Sequence, residues 1–144
     1  MANNLERVLR LMAEKSASDV YLSANTPILI KIHGQILQLS DQLLTTHQTR
    51  QLLAELLAPQ QMEELEDTGE LNVGISLPRV GSFRLSAFKQ RGSVAAVLRC
   101  IPFNIPSLDS LGVPPLLSEL VVGKRGLILM VGATGTGKST TLAS

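Results

Sequence analysis

Apolar residues recur at helical spacing from the start of the chain. Leu5, Val8, Leu9 and Met12 fall on one face of a helix, with Asn3 or Asn4 as its cap, Glu6 completing a capping box, and Ser16 to Ser18 ending it. The period then changes. Asp19 to Leu22 reads as a short strand, and Thr26-Pro27 opens another in which Ile28, Ile30 and Ile32 alternate with Leu29, Lys31 and His33. His33-Gly34 fits a two-residue hairpin turn that returns through Gln35 to Leu39. Histidine tolerates the positive φ such a turn needs better than most residues do, and no partner ligands near His33 point to a metal.

Helical spacing returns at Leu52, Leu53, Leu56 and Leu57, preceded by Thr45 and Gln48 in a second capping-box pattern. The leucine stripe spans too few heptads for a zipper and reads as core. Pro59 interrupts it, and Gln60 to Leu65 predicts a further helix closed near Gly69. Three segments rich in β-formers follow: Glu70 to Leu77, Gly81 to Lys89 and Ser93 to Ile101. Pro78-Arg79 and Gln90-Arg91-Gly92 separate them, which predicts an antiparallel meander. In its middle strand Phe83, Leu85 and Ala87 share one face, and Arg84 and Ser86 the other. The ordinary reading of Arg84, and of Arg99 late in the third strand, is a solvated sheet face with a carboxylate partner.

From Pro102 to Pro115 four prolines predict an extended, semi-rigid linker, followed by a short helix over Leu116 to Val122. The run Leu127-Ile128-Leu129-Met130-Val131 predicts a fully buried parallel strand, and Thr140 to Ala143 the start of a helix.

Composition narrows the classes. A hydrophobic content of 44% in 144 residues permits a real core, whereas a net charge of +1 and 3% aromatics argue against a nucleic-acid-binding surface. The lone Cys100 excludes an intrachain disulfide, and its apolar neighbours predict an inert thiol. No apolar stretch is long enough to span a membrane and the start is not a signal peptide, so a cytoplasmic protein is expected.

Between the apolar run and the last helix lies Gly132-Ala133-Thr134-Gly135-Thr136-Gly137-Lys138-Ser139, a full match to the phosphate-binding loop. Glycines let the backbone approach phosphate, successive N–H groups form an anion nest, and Lys138 brings a cation to the β and γ phosphates. The Ser139 hydroxyl supplies a ligand to Mg2+, which keeps most of its shell as water and phosphate oxygen. Residues 132 to 139 with Thr140 are therefore the expected nucleoside-triphosphate-binding set, Ser139 the metal ligand and Lys138 a catalytic cation.

Four stretches together carry a wider resemblance: Ser18-Asp19-Val20-Tyr21-Leu22, residues Gly81 through Phe88, Asn104 through Leu108, and Arg125 through Thr141. The chain resembles the type II/type IV secretion ATPases, specifically the PilT/PilU motors that retract type IV pili. The loop interior and Asn104-Ile105-Pro106 look more like the PilU branch. The resemblance implies a PAS-like N-terminal domain over residues 1–101, a linker over 102–122, and the first strand, loop and half-helix of a RecA-like ATPase domain over 123–144. It also implies a hexameric ring with ATP between the two domains, at the inner face of the cytoplasmic membrane. The implied partners are an inner-membrane pilus platform protein and a second retraction ATPase. Arg84 and Arg99 match family positions that reach the phosphates, and are the further catalytic candidates. Two positions depart from the family pattern: Tyr21 stands where histidine is common, and Ser82 where arginine is common.

Overall, an α/β chain of the α+β kind is expected, an N-terminal domain of antiparallel sheet with flanking helices followed by the opening of a P-loop domain. Two functions stay open on the sequence. One is the N-terminal part of a retraction ATPase; the other is a PAS-like interaction or sensor module with a non-functional loop. No carboxylate follows Lys138, so the 144-residue chain itself is not expected to hydrolyse ATP.

Overall fold

A computed structural model describes residues 4–102, 105–133 and 136–144. Asn3, Asn104, Thr134 and Gly135 lie outside the described residues. The chain divides into two units, residues 1–102 and 103–144.

Local signals account for most elements of the first unit. Alternation and a turn at His33 (φ 47°) and Gly34 (φ 82°) make a hairpin of β2 (Leu29–Ile32) and β3 (Gln35–Gln38), with Ile32 opposite Gln35. Arg91 (φ 48°) and Gly92 (φ 76°) do the same between β5 (Gly81–Gln90) and β6 (Ser93–Ile101). The capping box forms at the start of α2 (Thr46–Ala54): Thr45 Oγ1 accepts from the Gln48 N–H at 3.1 Å, and Gln48 Oε1 from the Thr45 N–H at 2.8 Å. Pro59 stands in the first turn of α3 (Pro59–Thr68), which ends on Gly69 at φ 82°.

α1 (Asn4–Glu14) already contains Asn4, so of the two expected caps Asn4 is not one; the other, Asn3, lies outside the described residues, and Glu6 pairs with Arg10 one turn on at 2.7 Å. The Leu5 N–H is met by Glu55 Oε2 at 2.8 Å. An open helix N-terminus takes whichever acceptor the fold brings, and here α1 lies against the end of α2.

All six strands form one antiparallel sheet in the order β3-β2-β1-β6-β5-β4, with β1 (Asp19–Leu22) at its centre and β4 (Glu70–Leu77) at one edge. The meander β4-β5-β6 is as the pattern predicts. What alternation did not show is that β1 pairs with β6, Asp19 opposite Arg99 and Tyr21 opposite Val97, joining two hairpin systems into one sheet.

One face of the sheet packs on the helices. Leu5, Leu9 and Met12 of α1, Leu53 of α2 and Leu65 of α3 close over Val20, Ile30, Phe83, Leu85 and Leu98, all fully or almost fully buried. The other face is open and polar, with Asn72, Gly74, Ser76, Arg84 and Arg99 exposed. That is the division expected of an antiparallel sheet covered on one side.

The second unit holds a 3-10 turn at Leu108–Leu111, α4 (Leu116–Val121) and α5 (Lys138–Ala143). Residues 127–131 do not form the expected buried strand. Leu127 is 82% exposed and Val131 89%, and no strand among the described residues of this unit is there to pair with them. An extended segment becomes a strand only when a neighbour takes its N–H and C=O groups. No helix among the described residues is long and apolar enough to cross a membrane.

Candidate functional site

The residues singled out on the sequence form two groups, one in each unit. In the second unit the loop precedes α5, and Gly137 enters that helix in the left-handed region at φ 85°. Lys138 turns back over the loop. Its Nζ donates to the Gly132 carbonyl at 2.7 Å and to the Ala133 carbonyl at 2.5 Å. Thr136 Oγ1 donates to the same Ala133 carbonyl at 2.8 Å. The turn is tight enough that a Cβ at Gly132 would stand 2.8 Å from Thr136 Oγ1, so only glycine fits without a shift. Ser139 and Thr140 are exposed in the first turn of α5. Thr141 Oγ1 donates back to the Gly137 carbonyl at 3.0 Å and is committed to the helix. Among the described residues no three His, Cys, Asp or Glu side chains group as a metal site.

In the first unit Arg84 and Arg99 stand directly opposite one another on β5 and β6, both on the open face. Arg99 Nε meets Asp19 Oδ1 at 2.8 Å. The carboxylate partner anticipated for the arginines is thus real for Arg99 and comes from β1, 80 residues away. The hydrogen bond Arg99 donates to Asp19, then the Coulomb attraction of that carboxylate, raise the Arg99 pKa above its ordinary value. Arg84 has no hydrogen-bond or ion-pair partner among the described residues. Its neighbour across β4 is Gly74, with no atom within 4 Å of the place a Cβ would take. The sequence did not reveal Asp19 as the partner of Arg99. Its place in the Ser18-Asp19-Val20 stretch was visible, but the strand it pairs with was not.

Cys100 is half-buried on the helix-covered face opposite Phe83, and burial pushes its thiol pKa up, as an inert thiol requires. His33 is spent on the hairpin turn.

The whole chain, residues 1–144, matches the family model described as Type II/IV secretion system protein. The chain belongs to this family. Within it, the chain is 43% identical over 139 residues to the type IV pilus ATPase PilU of Pseudomonas aeruginosa, covering 96% of this chain and 36% of that protein. It is 32% identical over 141 residues to the type IV pilus retraction ATPase PilT of the same organism, covering 98% and 41%. Its fold superposes on a crystal structure of the pilus retraction motor PilT with bound ADP at a TM-score of 0.85 and 39% identity, over 99% of this chain and 42% of that one. The chain therefore spans about two fifths of the length of the proteins it matches.

Proposed function

We propose that residues 132–140 bind the triphosphate of ATP with Mg2+, and that the whole protein of which these residues are part is a ring-forming motor that retracts type IV pili. The observation that carries the reading is the placement of Lys138. Its ammonium lies across the loop mouth on the Gly132 and Ala133 carbonyls, where it can exchange two carbonyl acceptors for phosphate oxygens with little movement. Ser139 is the magnesium ligand, and the ion would neutralise charge on the β and γ phosphates. Arg84 and Arg99 stabilise the charge that develops on the transferred phosphoryl group. The relatives named as pilus ATPases supply the assignment to pilus retraction, and a hexamer at the cytoplasmic face of the pilus machine is the assembly it implies.

The test is nucleotide turnover by the complete gene product and by its Lys138→Ala variant. Turnover that falls to background in the variant is expected, together with loss of pilus retraction in cells carrying it. Undiminished turnover in the variant would overturn the assignment.

A further inference from the structure

Across the open face of the sheet the strand register lines up one transverse row: Lys31 on β2, Asp19 on β1, Arg99 on β6 and Arg84 on β5. Its members differ sharply in how they are held. Asp19 is 4% exposed, and both of its oxygens are engaged. Oδ2 accepts from Ser18 Oγ at 2.9 Å and Oδ1 from Arg99 Nε at 2.8 Å. Arg99 is tethered only through Nε, and its side chain is 69% exposed, so its terminal N–H groups face solvent without a partner among the described residues. Arg84, directly opposite, is exposed and has none either, with bare Gly74 on its far side.

Like charges directly opposite on neighbouring strands destabilise a sheet unless something answers them. The one carboxylate in the row is buried and takes only the Nε edge of one guanidinium. Two exposed guanidiniums, one fixed and one free, are what a phosphoryl group accepts from, since its oxygens can bridge two planar forks.

We propose that Asp19 is a positioning residue. By holding Arg99 at Nε, itself locked by Ser18, it aims the remaining N–H groups of Arg99 so that Arg99 and Arg84 form one seat for a phosphoryl group. The inference rests on the reading that these two arginines contact phosphate. It adds a sign that simple electrostatics contradicts. Neutralising Asp19 removes a negative charge from the row, which by Coulomb's law alone tightens anion binding. A positioning role makes the same change weaken it.

The experiment is an NMR titration of the 15N-labelled chain with inorganic triphosphate, read at the arginine Nε–H signals of residues 84 and 99 and, separately, at the backbone signals of the loop. In the parent chain both arginine signals are expected to shift along one binding curve. In D19N that curve is expected to move to several-fold weaker binding while the loop curve stays in place. Ser18→Ala, which keeps every charge, is expected to weaken the arginine curve in the same direction by less. Should D19N fail to fold, Ser18→Ala decides alone. Equal or tighter binding at the arginines in the folded variant overturns the positioning role and leaves the arginine assignment standing. Arginine signals that never shift, while the loop signals do, overturn both.

Discussion

Asp19 and Arg99 form an ion pair of very unequal burial: Oδ1 and Nε are 2.8 Å apart, yet the Asp19 side chain is 6% exposed and that of Arg99 is 69%. The carboxylate lies within the sheet and depends on its partner, while the guanidinium rests on the surface and could be solvated without it. Removing either member therefore has different consequences.

Arg99→Ala leaves a buried carboxylate with only the Ser18 hydroxyl, and is expected to cost about 1–3 kcal/mol. Asp19→Asn keeps the shape and releases an arginine that water can solvate, at under about 1 kcal/mol. Urea denaturation of the two variants checks the ordering. Equal costs would show that the pair behaves as an ordinary surface salt bridge.

The helix-covered face buries the largest of the fully buried side chains. Phe83 is fully buried on β5, with Cys100 opposite it on β6. Phe83→Ala is expected to destabilise by about 3–5 kcal/mol, because the surrounding strands and helices cannot collapse into the space. The midpoint of chemical unfolding should fall accordingly, with little change in its slope.

The cap on α2 is local and separable. Thr45→Ala removes the acceptor for the Gln48 N–H and is expected to cost about 1 kcal/mol. Thermal unfolding by circular dichroism should register it, whereas Thr45→Ser should stay within error of the parent.

Glu66 ties the α3 helix to its surroundings through Lys89 at 2.8 Å and Arg50 at 2.9 Å. The hydrogen bond from Lys89, then that from Arg50, lower its pKa below the ordinary glutamate value. A lowered folded-state pKa contributes stability that is present above the unfolded value and lost as pH falls through the folded one. Because the group is solvent-accessible, the contribution should be under about 1 kcal/mol. Comparing Glu66→Gln with the parent, a stability gap at pH 7 that closes on acidification is expected, and a gap that persists at low pH would assign the effect to packing.

Cys100 should alkylate slowly at neutral pH and rapidly once the chain is unfolded. Its thiol pKa is raised by burial, so little thiolate is present to react. Mass spectrometry after timed iodoacetamide treatment, with and without urea, reads this directly. Fast modification of the folded chain would show that β6 opens there.

Much of this protein is determined by residues close in sequence. His33-Gly34 dictates a tight hairpin because its two central residues need positive φ, and Thr45 with Gln48 closes a helix start within one turn. Alternation along Phe83, Leu85 and Ala87 decides which face of β5 is buried, and the phosphate-loop pattern is complete within eight residues. Tertiary structure decided the rest. Glu55 meets the Leu5 N–H of α1 from 50 residues away, and β1 finds β6 across 80 residues, which supplies Arg99 with Asp19 and leaves the Arg84 side chain without a partner among the described residues. Residues 127–131 show the same dependence from the other side: they have strand composition, yet no strand forms among the described residues there. Backbone geometry within a turn is set by neighbouring residues. A strand's partner, or a carboxylate's, is set by which surfaces the folded chain brings together.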